Sequence, residues 1–289
     1  MNHPEVSEYF RQLAVEVLPT EAALAKVQTH VEQISKRLQV RFEVNRIMRV
    51  GSHVKGTAIR GYSDLDLFVV MTRDEARRWA RDDSSRTLIA RVRSDLQERF
   101  HATTVRRDGQ AVVVKFAQGD FAVDVVPAIF AGVGAAALYQ IPDGLGRWVQ
   151  TSPTGQVNYL REANSKAGNK VIPLVRLLKW WAQSREVTSP IKSLYLELLV
   201  PACQIPVGMS YPAAMAALLG AIAKDRCGPL QAPAGYVGPV EIAPTEGQRR
   251  SILSVVEASS ERAIRAREAE ARGNTREALR LWDVILNHS

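Results

Sequence analysis

Cysteine is scarce in this sequence: Cys203 and Cys227 are the only two among 289 residues. Two isolated cysteines cannot form a zinc ribbon, and they are typical of a protein in a reducing compartment. The five histidines are scattered along the chain, so the common histidine-based zinc motifs are absent as well. A zinc-dependent function is therefore not expected.

Long apolar runs are also missing. No stretch approaches the ~18 uninterrupted apolar residues of a membrane-spanning helix. The first residues, MNHPEVSEYFRQL, lack the apolar centre of a signal peptide. We therefore expect a soluble, cytoplasmic protein without membrane contact.

Acidic residues are outnumbered by basic ones, 30 to 38, which gives a formal net charge of +8. This balance favours an anionic partner such as a nucleotide, a nucleic acid or an acidic lipid. Arg73, Arg77, Arg78 and Arg81 could contact RNA. The acidic residues between them favour a solvated helix face instead.

The apolar pattern changes along the chain, which has enough residues for one large domain or two modest ones. Two helices are predicted near the N-terminus, and strands dominate residues 43–130. The segment QAVVVKFAQGDFAVDVVPAIF predicts a β-hairpin with its turn near residues 118–120. Residues 131–168 are expected to be loop-rich, and helices follow. This pattern predicts two lobes with a ligand cleft between them. The predicted regions are residues 1–40, 41–150 and 151–289.

The stretch GSHVKGTAIRGYSDLDLFVV places two aspartates at the start of an apolar run. Alternate residues of a strand share a face, so Asp64 and Asp66 point the same way. Two like charges so close repel each other, and burying either one alone costs on the order of several kcal/mol. A hard divalent cation with oxygen ligands would remove this cost, and Mg²⁺ is the usual ion beside phosphate.

A third carboxylate, that of Asp124, lies inside the apolar segment FAVDVVPAIF. An unpaired aspartate there would be costly to bury. If this strand lies beside the strand containing Asp66, the three carboxylates converge. Three carboxylates can hold two metal ions about 4 Å apart, which activate an attacking hydroxyl and neutralise a leaving pyrophosphate. We therefore expect Asp64, Asp66 and Asp124 to be catalytic and to bind two Mg²⁺ ions, for which Mn²⁺ could substitute.

Two glycine-containing pairs, Gly51-Ser52 and Gly56-Thr57, precede the aspartates. Glycine lets the backbone approach a ligand closely, and hydroxyl and amide groups can bind phosphate. Gly51, Ser52 and Thr57 are therefore predicted to contact a nucleotide. The G-x-x-x-x-G-K-[ST] spacing of a P-loop is absent.

These residues resemble the signature of the DNA polymerase β-type nucleotidyltransferase superfamily: a Gly-Ser turn, an acidic pair and a distant single acid. Here they are Gly51-Ser52, Asp64 with Asp66, and Asp124. The resemblance implies an α+β fold with a polymerase β-like core, in which helices flank a mixed sheet. A C-terminal helical lobe would follow, and the active site would lie in the cleft.

More of the chain is similar to the oligoadenylate synthase and cyclic GMP–AMP synthase-like enzymes. Within this group it resembles bacterial CD-NTases, which make cyclic di- or trinucleotide signals in anti-phage defence. The resemblance implies nucleoside triphosphate substrates, pyrophosphate release and an N-terminal spine helix packed on both lobes. The matching segments are VLPTEAALAKVQTHVEQISKRL, VDVVPAI, VIPLVRLLKWWAQ, IKSLYLELLV and AIRAREAEARGNTREALRLWDVIL.

The resemblance also implies two further nucleotide-binding residues. Lys179 and Ser193 match a lysine and a serine that hold the donor triphosphate in the relatives. Lys179 is expected on the polar side of its helix, where a point charge suits phosphate. Ser193 is expected in the first turn of a helix starting at Ser189-Pro190, where free amide groups favour anions.

One position departs from the relatives' pattern. The residue after this serine is often aromatic there and stacks on the donor base, but here it is Leu194. Tyr195 or Tyr62 could stack on the base instead. A place in the core is the other interpretation of each tyrosine, and the safer one.

Other functions remain open at this point. Archaeal-type CCA-adding enzymes, which extend tRNA, carry a similar GT…SDLD stretch, so an RNA or tRNA 3′-end nucleotidyltransferase is the nearest alternative. Transfer to a small drug or a protein hydroxyl is another. A non-catalytic relative that binds nucleotide or RNA is disfavoured, because all three acids are present.

Overall fold

The computed structural model describes residues 4–79, 84–116, 122–184, 191–233 and 238–288. Within these ranges eleven helices and seven strands are formed. The helices are α1 (Pro4–Glu16), α2 (Glu21–Arg41), α3 (Gly51–Lys55), α4 (Arg73–Trp79), α5 (Ser84–Arg99), α6 (Pro153–Lys166), α7 (Val171–Gln183), α8 (Ser193–Ala202), α9 (Tyr211–Lys224), α10 (Glu246–Ala271) and α11 (Thr275–Leu286). The strands are β1 (Val44–Val50), β2 (Leu65–Met71), β3 (Thr104–Asp108), β4 (Ala111–Lys115), β5 (Val123–Val133), β6 (Ala137–Pro142) and β7 (Trp148–Thr151).

The strands form a mixed sheet in the order β1-β2-β5-β4-β3. β2 and β5 are parallel neighbours, and the other pairs are antiparallel. The far end of β5 continues into pairings with β6, which in turn pairs with β7. The last of these five strands in the sequence, β5, thus lies in the middle of the order.

The two faces of the sheet have different apolar clusters, because successive residues of a strand point to opposite sides. One face carries Leu67, Val69 and Val125 and packs against the apolar stripes of α2 and α5. The other face carries Phe68, Val126 and the buried Tyr139 of β6. Asp66 and Asp124 alternate with the residues of the first cluster, so they belong to the second face.

A helical unit has its own core. It comprises residues 4–18, 159–184, 191–232 and 238–288 of the described chain, and the sheet unit comprises the rest. Trp181 and Trp282 are fully buried. The indole of Trp181 donates a hydrogen bond to Oγ of Ser259 over 3.1 Å, and the ring of Trp282 packs edge-on against Phe10. The indole nitrogen of Trp180 donates to the Leu286 carbonyl over 3.0 Å, so the three tryptophans anchor this unit.

Most elements follow the sequence pattern. Thr20 caps α2 by accepting the amide of Ala23 over 3.3 Å, and strand β2 coincides with LDLFVVM. The predicted hairpin is confirmed as the antiparallel pair β4–β5, and its turn at residues 118–120 lies outside the described residues. Contacts group α1 with the helical unit and α2 with the sheet unit, while the boundaries at residues 40 and 150 stay predictions.

The prediction of loops over residues 131–168 is wrong. This segment contains strands β6 and β7 and the helix α6. The strands are short and separated by glycines and prolines, which hides their alternation. Helix α6 has a clear start, because Oγ of Ser152 accepts the amide of Gly155 over 3.2 Å and Pro153 is the first helical residue.

None of the helices in the described ranges is both long and apolar enough to cross a membrane.

Candidate active site

The central feature of the site is the register between strands β2 and β5. The two strands are parallel, and Asp66 lies directly opposite Asp124. Neighbouring strands are about 4.8 Å apart, and opposite residues share a face, so these carboxylates are adjacent on one side of the sheet. The predicted proximity of the two strands is therefore confirmed.

Asp64 lies just before β2, where its side chain is fixed at the start of β5. Its Oδ1 atom accepts the amide N–H of Ala122 over 3.0 Å. The next residue, Leu65, donates its own amide to the Ala122 carbonyl over 3.0 Å. These two bonds join the beginnings of the strands and hold the exposed Asp64 carboxylate beside the acid pair.

The surroundings of Asp124 disfavour the ionised form of its carboxyl group. Burial raises its pKa to about 7, with further contributions from the negative charges of Asp66 and Asp64. In the part of the chain that the structure describes, the buried Oδ1 of Asp124 has no hydrogen-bond partner. A buried oxygen of this kind is normally paired with a donor or a cation, so the residues at this point suit a positive ion.

The donor set fits a hard divalent cation in chemistry and position, because all three groups supply carboxylate oxygens. Among the described residues, however, no three acidic, cysteine or histidine side chains are arranged as a closed metal-ion cage. Asp66 and Asp64 are near enough to raise the pKa of Asp124, but like charges repel and Asp64 is bonded to Ala122. Shared coordination by Asp64, Asp66 and Asp124 therefore stays a prediction.

Gly51 lies directly against the side chain of Asp66. It has a φ of +71°, and a Cβ atom at this position would overlap Oδ2 of Asp66. Gly51 begins the short helix α3, so the predicted turn is in fact one helical turn that includes the partly exposed Ser52. Glycine is required here both for the backbone conformation and for the close approach to Asp66.

Thr57 is less accessible than the sequence suggests. Its side chain is fully buried, and its amide and hydroxyl groups donate to the carbonyl of Ser52 over 2.9 and 3.5 Å. The hydroxyl therefore stabilises the loop, which sequence spacing alone does not indicate. A contact of Thr57 with a nucleotide stays a prediction.

Lys179 is also placed differently from the expectation. The side chain is buried, and Nζ lies 2.6 Å from Oε1 of the equally buried Glu197. The prediction of an exposed polar helix side is thus wrong for this residue, because α8 covers that part of α7 and supplies the carboxylate. Its role towards a triphosphate stays a prediction.

Ser193 is exposed and is the first residue of α8. The residue before it, Lys192, occupies the N-cap position without a side-chain hydrogen bond to the helix. The predicted helix start at Ser189-Pro190 is wrong: those two residues lie outside the described ranges, but Ile191 and Lys192 are not helical and the helix begins only at Ser193. Free amide groups at the beginning of α8 keep Ser193 suitable for an anion, and its proposed phosphate contact is untested.

The two tyrosines considered for base stacking have opposite environments. Tyr195 is fully buried in the helical unit, as expected for a core residue. Tyr62, two residues before Asp64, is 47% exposed, so the interpretation as a core residue is wrong for it.

One further residue, Arg106, lies on the face of the sheet that carries the acids and was not predicted from the sequence. Val113 on β4 lies opposite Asp124, and Arg106 on β3 lies opposite Val113. Arg106 is therefore in the same row across the sheet as Asp66 and Asp124. Aspartate is uncommon in strands and three of the five residues of TVRRD are charged, so the sequence pattern does not predict a strand there. Its available strand signal is the β-branched pair Thr104-Val105 shortly before the Gly109 turn.

The amino-acid sequence matches, over residues 5–164, the family described as the Second Messenger Oligonucleotide or Dinucleotide Synthetase domain, SMODS. The match covers more than half of the chain and includes all three acids, Gly51 and Arg106. The chain belongs to the SMODS family.

Two curated proteins are similar to part of this SMODS chain. A probable cyclic nucleotide synthase of Bacillus cereus strain VD146 is 27% identical over 181 residues, which are 53% of this chain and 54% of that protein. A cyclic AMP-AMP-AMP synthase of Escherichia coli strain MS 115-1 is 26% identical over 165 residues, 55% of this chain and 50% of that protein. The SMODS chain thus spans about half the length of the curated relatives it matches.

The fold agrees with a solved structure of the same group. The structure of CdnC from E. coli MS115-1 with ATP superimposes with a TM-score of 0.70 at 18% identity, covering 99% of this chain and 98% of that chain. The predicted α+β fold, with a polymerase β-like nucleotidyltransferase core and a helical C-terminal part, is confirmed. The resemblance of this SMODS chain to bacterial CD-NTases is confirmed as well.

Proposed function

We propose that the protein is a Mg²⁺-dependent nucleotidyltransferase that joins nucleoside triphosphates into a cyclic di- or trinucleotide. The observation that carries this proposal is the in-register pair Asp66 and Asp124, with Asp64 fixed at the start of the same two strands. Membership of the SMODS family and similarity to two cyclic nucleotide synthases support it. The proposed role of the product is a second messenger in anti-phage signalling.

The three carboxylates would hold the ions, with Mg²⁺ as the expected metal and Mn²⁺ as its substitute. Bound Mg²⁺ supplies positive charge at the attacking oxygen and at the leaving pyrophosphate. Two features favour the binding of such ions: Oδ1 of Asp124 has no hydrogen-bond partner among the described residues, and the acids repel one another. Without a positive ion, three ionised groups in this position are unfavourable.

The surrounding residues would position the nucleotides. Gly51 brings the backbone against Asp66, so a phosphate held at Ser52 lies beside the carboxylates. Lys179 and Ser193 would hold the donor triphosphate, as the resemblance implies. ATP in the CdnC structure supports a nucleoside triphosphate as the ligand of this fold.

The reaction forms one bond and breaks another. The acceptor hydroxyl oxygen bonds to the α-phosphorus of the donor, and the bond from that phosphorus to the bridging oxygen breaks. Pyrophosphate leaves, and the hydroxyl proton passes to solvent. A further transfer, the second for a dinucleotide and the third for a trinucleotide, joins the two ends of the linear product, releases another pyrophosphate and closes the ring.

The decisive experiment incubates the purified protein with all four labelled triphosphates and Mg²⁺, with and without added RNA. We expect a small product that resists phosphatase and has the mass of a cyclic di- or trinucleotide. The variant D64N should fold normally, because asparagine keeps an oxygen that can accept the Ala122 amide, yet it should make no product.

Three outcomes would contradict the proposal. Undiminished turnover by D64N would remove Asp64 from the mechanism. Label found only in the added RNA would favour an RNA 3′-end nucleotidyltransferase. Nucleotide or RNA binding without any metal-dependent turnover would favour a non-catalytic relative.

A further inference from the structure

We propose that Arg106 binds the 5′-phosphate groups of the acceptor nucleotide, opposite the site of the donor phosphates. This inference rests on the proposed function and extends it to one substrate-binding residue. It assigns a role to strand β3, whose charged residues have none in the mechanism described so far.

The strand register places Arg106 on the acid face. Asp66, Asp124, Val113 and Arg106 are successive opposite residues on four adjacent strands, and opposite residues of paired strands share a face. Arg106 lies two strand spacings from Asp124, roughly 10 Å along the sheet. A nucleotide bound at the acids and extending towards β3 therefore meets the guanidinium group.

The side chain of Arg106 is available to a ligand. It is 57% exposed and forms an ion pair of 2.6 Å with Asp108, which is exposed as well. Exposed ion pairs contribute little to stability, so a phosphate can replace Asp108 as the partner of the guanidinium group. The planar fork of arginine matches phosphate with two parallel hydrogen bonds.

The charge of Arg106 already acts on the acids. The hydrogen bond to Asp108 raises the pKa of Arg106, and the charges of Asp108, Asp124 and Asp64 raise it further. In return, the positive charge of Arg106 lowers the pKa of Asp124, against the effects of burial and the neighbouring acids, which raise it. Arg106 on β3 and Asp124 on β5 thus affect each other's ionisation, as expected from their places on the same face of the sheet.

The position of Gly51 decides which nucleotide Arg106 contacts. Gly51 lies against Asp66, near the end of the sheet formed by β1 and β2. Arg106 lies on the other side of Asp124, towards the end formed by β3. In an in-line displacement the attacking and leaving oxygens are on opposite sides of the phosphorus. If the donor phosphates bind at Gly51-Ser52, the acceptor approaches from the side of Arg106.

Edge protection is the plain alternative for a charged residue on β3, because charges at a sheet edge prevent pairing with another chain. The neighbouring Arg107 serves as the comparison. It points to the opposite face, since its partner Val112 belongs to the cluster packed against α2 and α5, and it donates to the carbonyls of Gly109 and Gly144. Edge protection would use both arginines, whereas acceptor binding uses Arg106 alone.

The test separates donor from acceptor by chemistry. A 2′,3′-dideoxynucleoside triphosphate can donate but cannot accept. A nucleoside α,β-methylene triphosphate can accept but cannot donate, and the plain nucleoside accepts without any phosphate. Linear product formation is measured for the wild type, R106A, R106K and R107A with the adenine and guanine series.

We expect R106A to slow transfer to the phosphate-bearing acceptor by about tenfold or more, the size of one lost charge-assisted pair. Transfer to the plain nucleoside should change less than about twofold. R106K should recover part of the rate, and R107A should match the wild type.

Each other result counts against the inference. Equal losses with both acceptors would make Arg106 a donor-binding or structural residue, and no loss with either would make it an edge charge. A wild-type protein that forms no linear product with any pair would overturn the proposed function itself. That failure is distinct from active wild type with an unaffected R106A.

Discussion

At the scale of single residues, Asp124 shows a conflict between stability and chemistry. Its pKa is raised to about 7, first by burial and then by Asp66 and Asp64. A raised carboxyl pKa means that the folded state holds its proton more tightly than the unfolded chain. The resulting penalty is absent below the ordinary pKa near 3.8, grows as the pH rises, and is complete above about 7.

We therefore expect D124N to stabilise the metal-free protein at pH 8 while abolishing turnover. Removing one of three repelling charges should raise the free energy of unfolding by on the order of a few kcal/mol. Thermal unfolding in the presence of a chelator measures this. The exposed carboxylate of Asp74 provides the control, since D74N should leave the melting temperature nearly unchanged. A lower melting temperature for D124N would contradict the electrostatic explanation.

A second residue-scale prediction concerns the glycine beside Asp66. G51A should destabilise the protein and reduce turnover strongly, because alanine would strain the backbone and overlap the Asp66 carboxylate. Unfolding and product formation are measured together.

G61A is the matched control for G51A. Gly61 has a φ of +78°, similar to that of Gly51, but nothing lies within 4 Å of its Cβ position. It should share the backbone cost of about 1 kcal/mol and keep most of the activity. Equal activity losses in the two variants would show that the approach to Asp66 is unimportant.

At the scale of elements, helices α7 and α8 are joined by the buried pair Lys179 and Glu197. Two buried charges are costly to desolvate, and removing one partner leaves the other uncompensated. This pair therefore fixes how the two helices pack within the helical unit.

E197Q or K179M alone should each destabilise the protein by about 3 kcal/mol. The double variant should lose clearly less than the sum, because no charge then remains buried without its partner. A double-mutant cycle by chemical denaturation gives the coupling energy. Additive losses would mean that other contacts of these residues, and not the pair itself, stabilise the helices.

The elements also show what the local pattern can predict. The apolar run of β2 and the periodic helices α2, α7, α10 and α11 were recognisable, because their signals repeat over several turns or alternations. The start of α6 at Ser152-Pro153 has the same chemistry as the predicted one at Ser189-Pro190, but it was hidden in a segment judged by its glycine and proline content. In this segment the glycine and proline content suggests loops, although Ser152-Pro153 is a specific signal for the start of a helix.

The candidate site was predictable to a similar extent. The acids and Gly51 could be found because charge and glycine are conspicuous before an apolar run. The burial of Thr57 and Lys179 depends on the Ser52 carbonyl and the Glu197 carboxylate. The face of the sheet on which Arg106 lies depends on two strand pairings, β3 with β4 and β4 with β5. Such facts arise from tertiary register, which local spacing does not encode.

At the scale of the whole molecule, the chain has a formal net charge of +8, but several of its arginines are paired with acids. Arg77 pairs with Asp74, and Arg78 pairs with Glu75 and Glu43; Arg81 lies outside the described residues. Arg77 and Arg78 are thus neutralised locally, which disfavours RNA contact through them and agrees with the solvated helix face favoured from the sequence.

We expect RNA binding to be weak and strongly dependent on salt, with a Kd above about 10 µM at physiological ionic strength. Fluorescence anisotropy with a labelled single strand at several salt concentrations measures it. The variant R77E/R78E should change the Kd by less than about twofold. Tight binding that is lost in this variant would establish RNA as a partner of α4.

The place of β5 in the sheet has a consequence for synthesis on the ribosome. A nascent chain that ends before β5 contains the antiparallel pairs β1–β2 and β3–β4 but no strand to bridge them. Arrival of residues 123–133 closes both open edges in one step and delivers the third acid together with them. The third acid and the bridge between the two strand pairs therefore arrive together, so a product truncated before β5 lacks Asp124 and exposes two edges prone to aggregation.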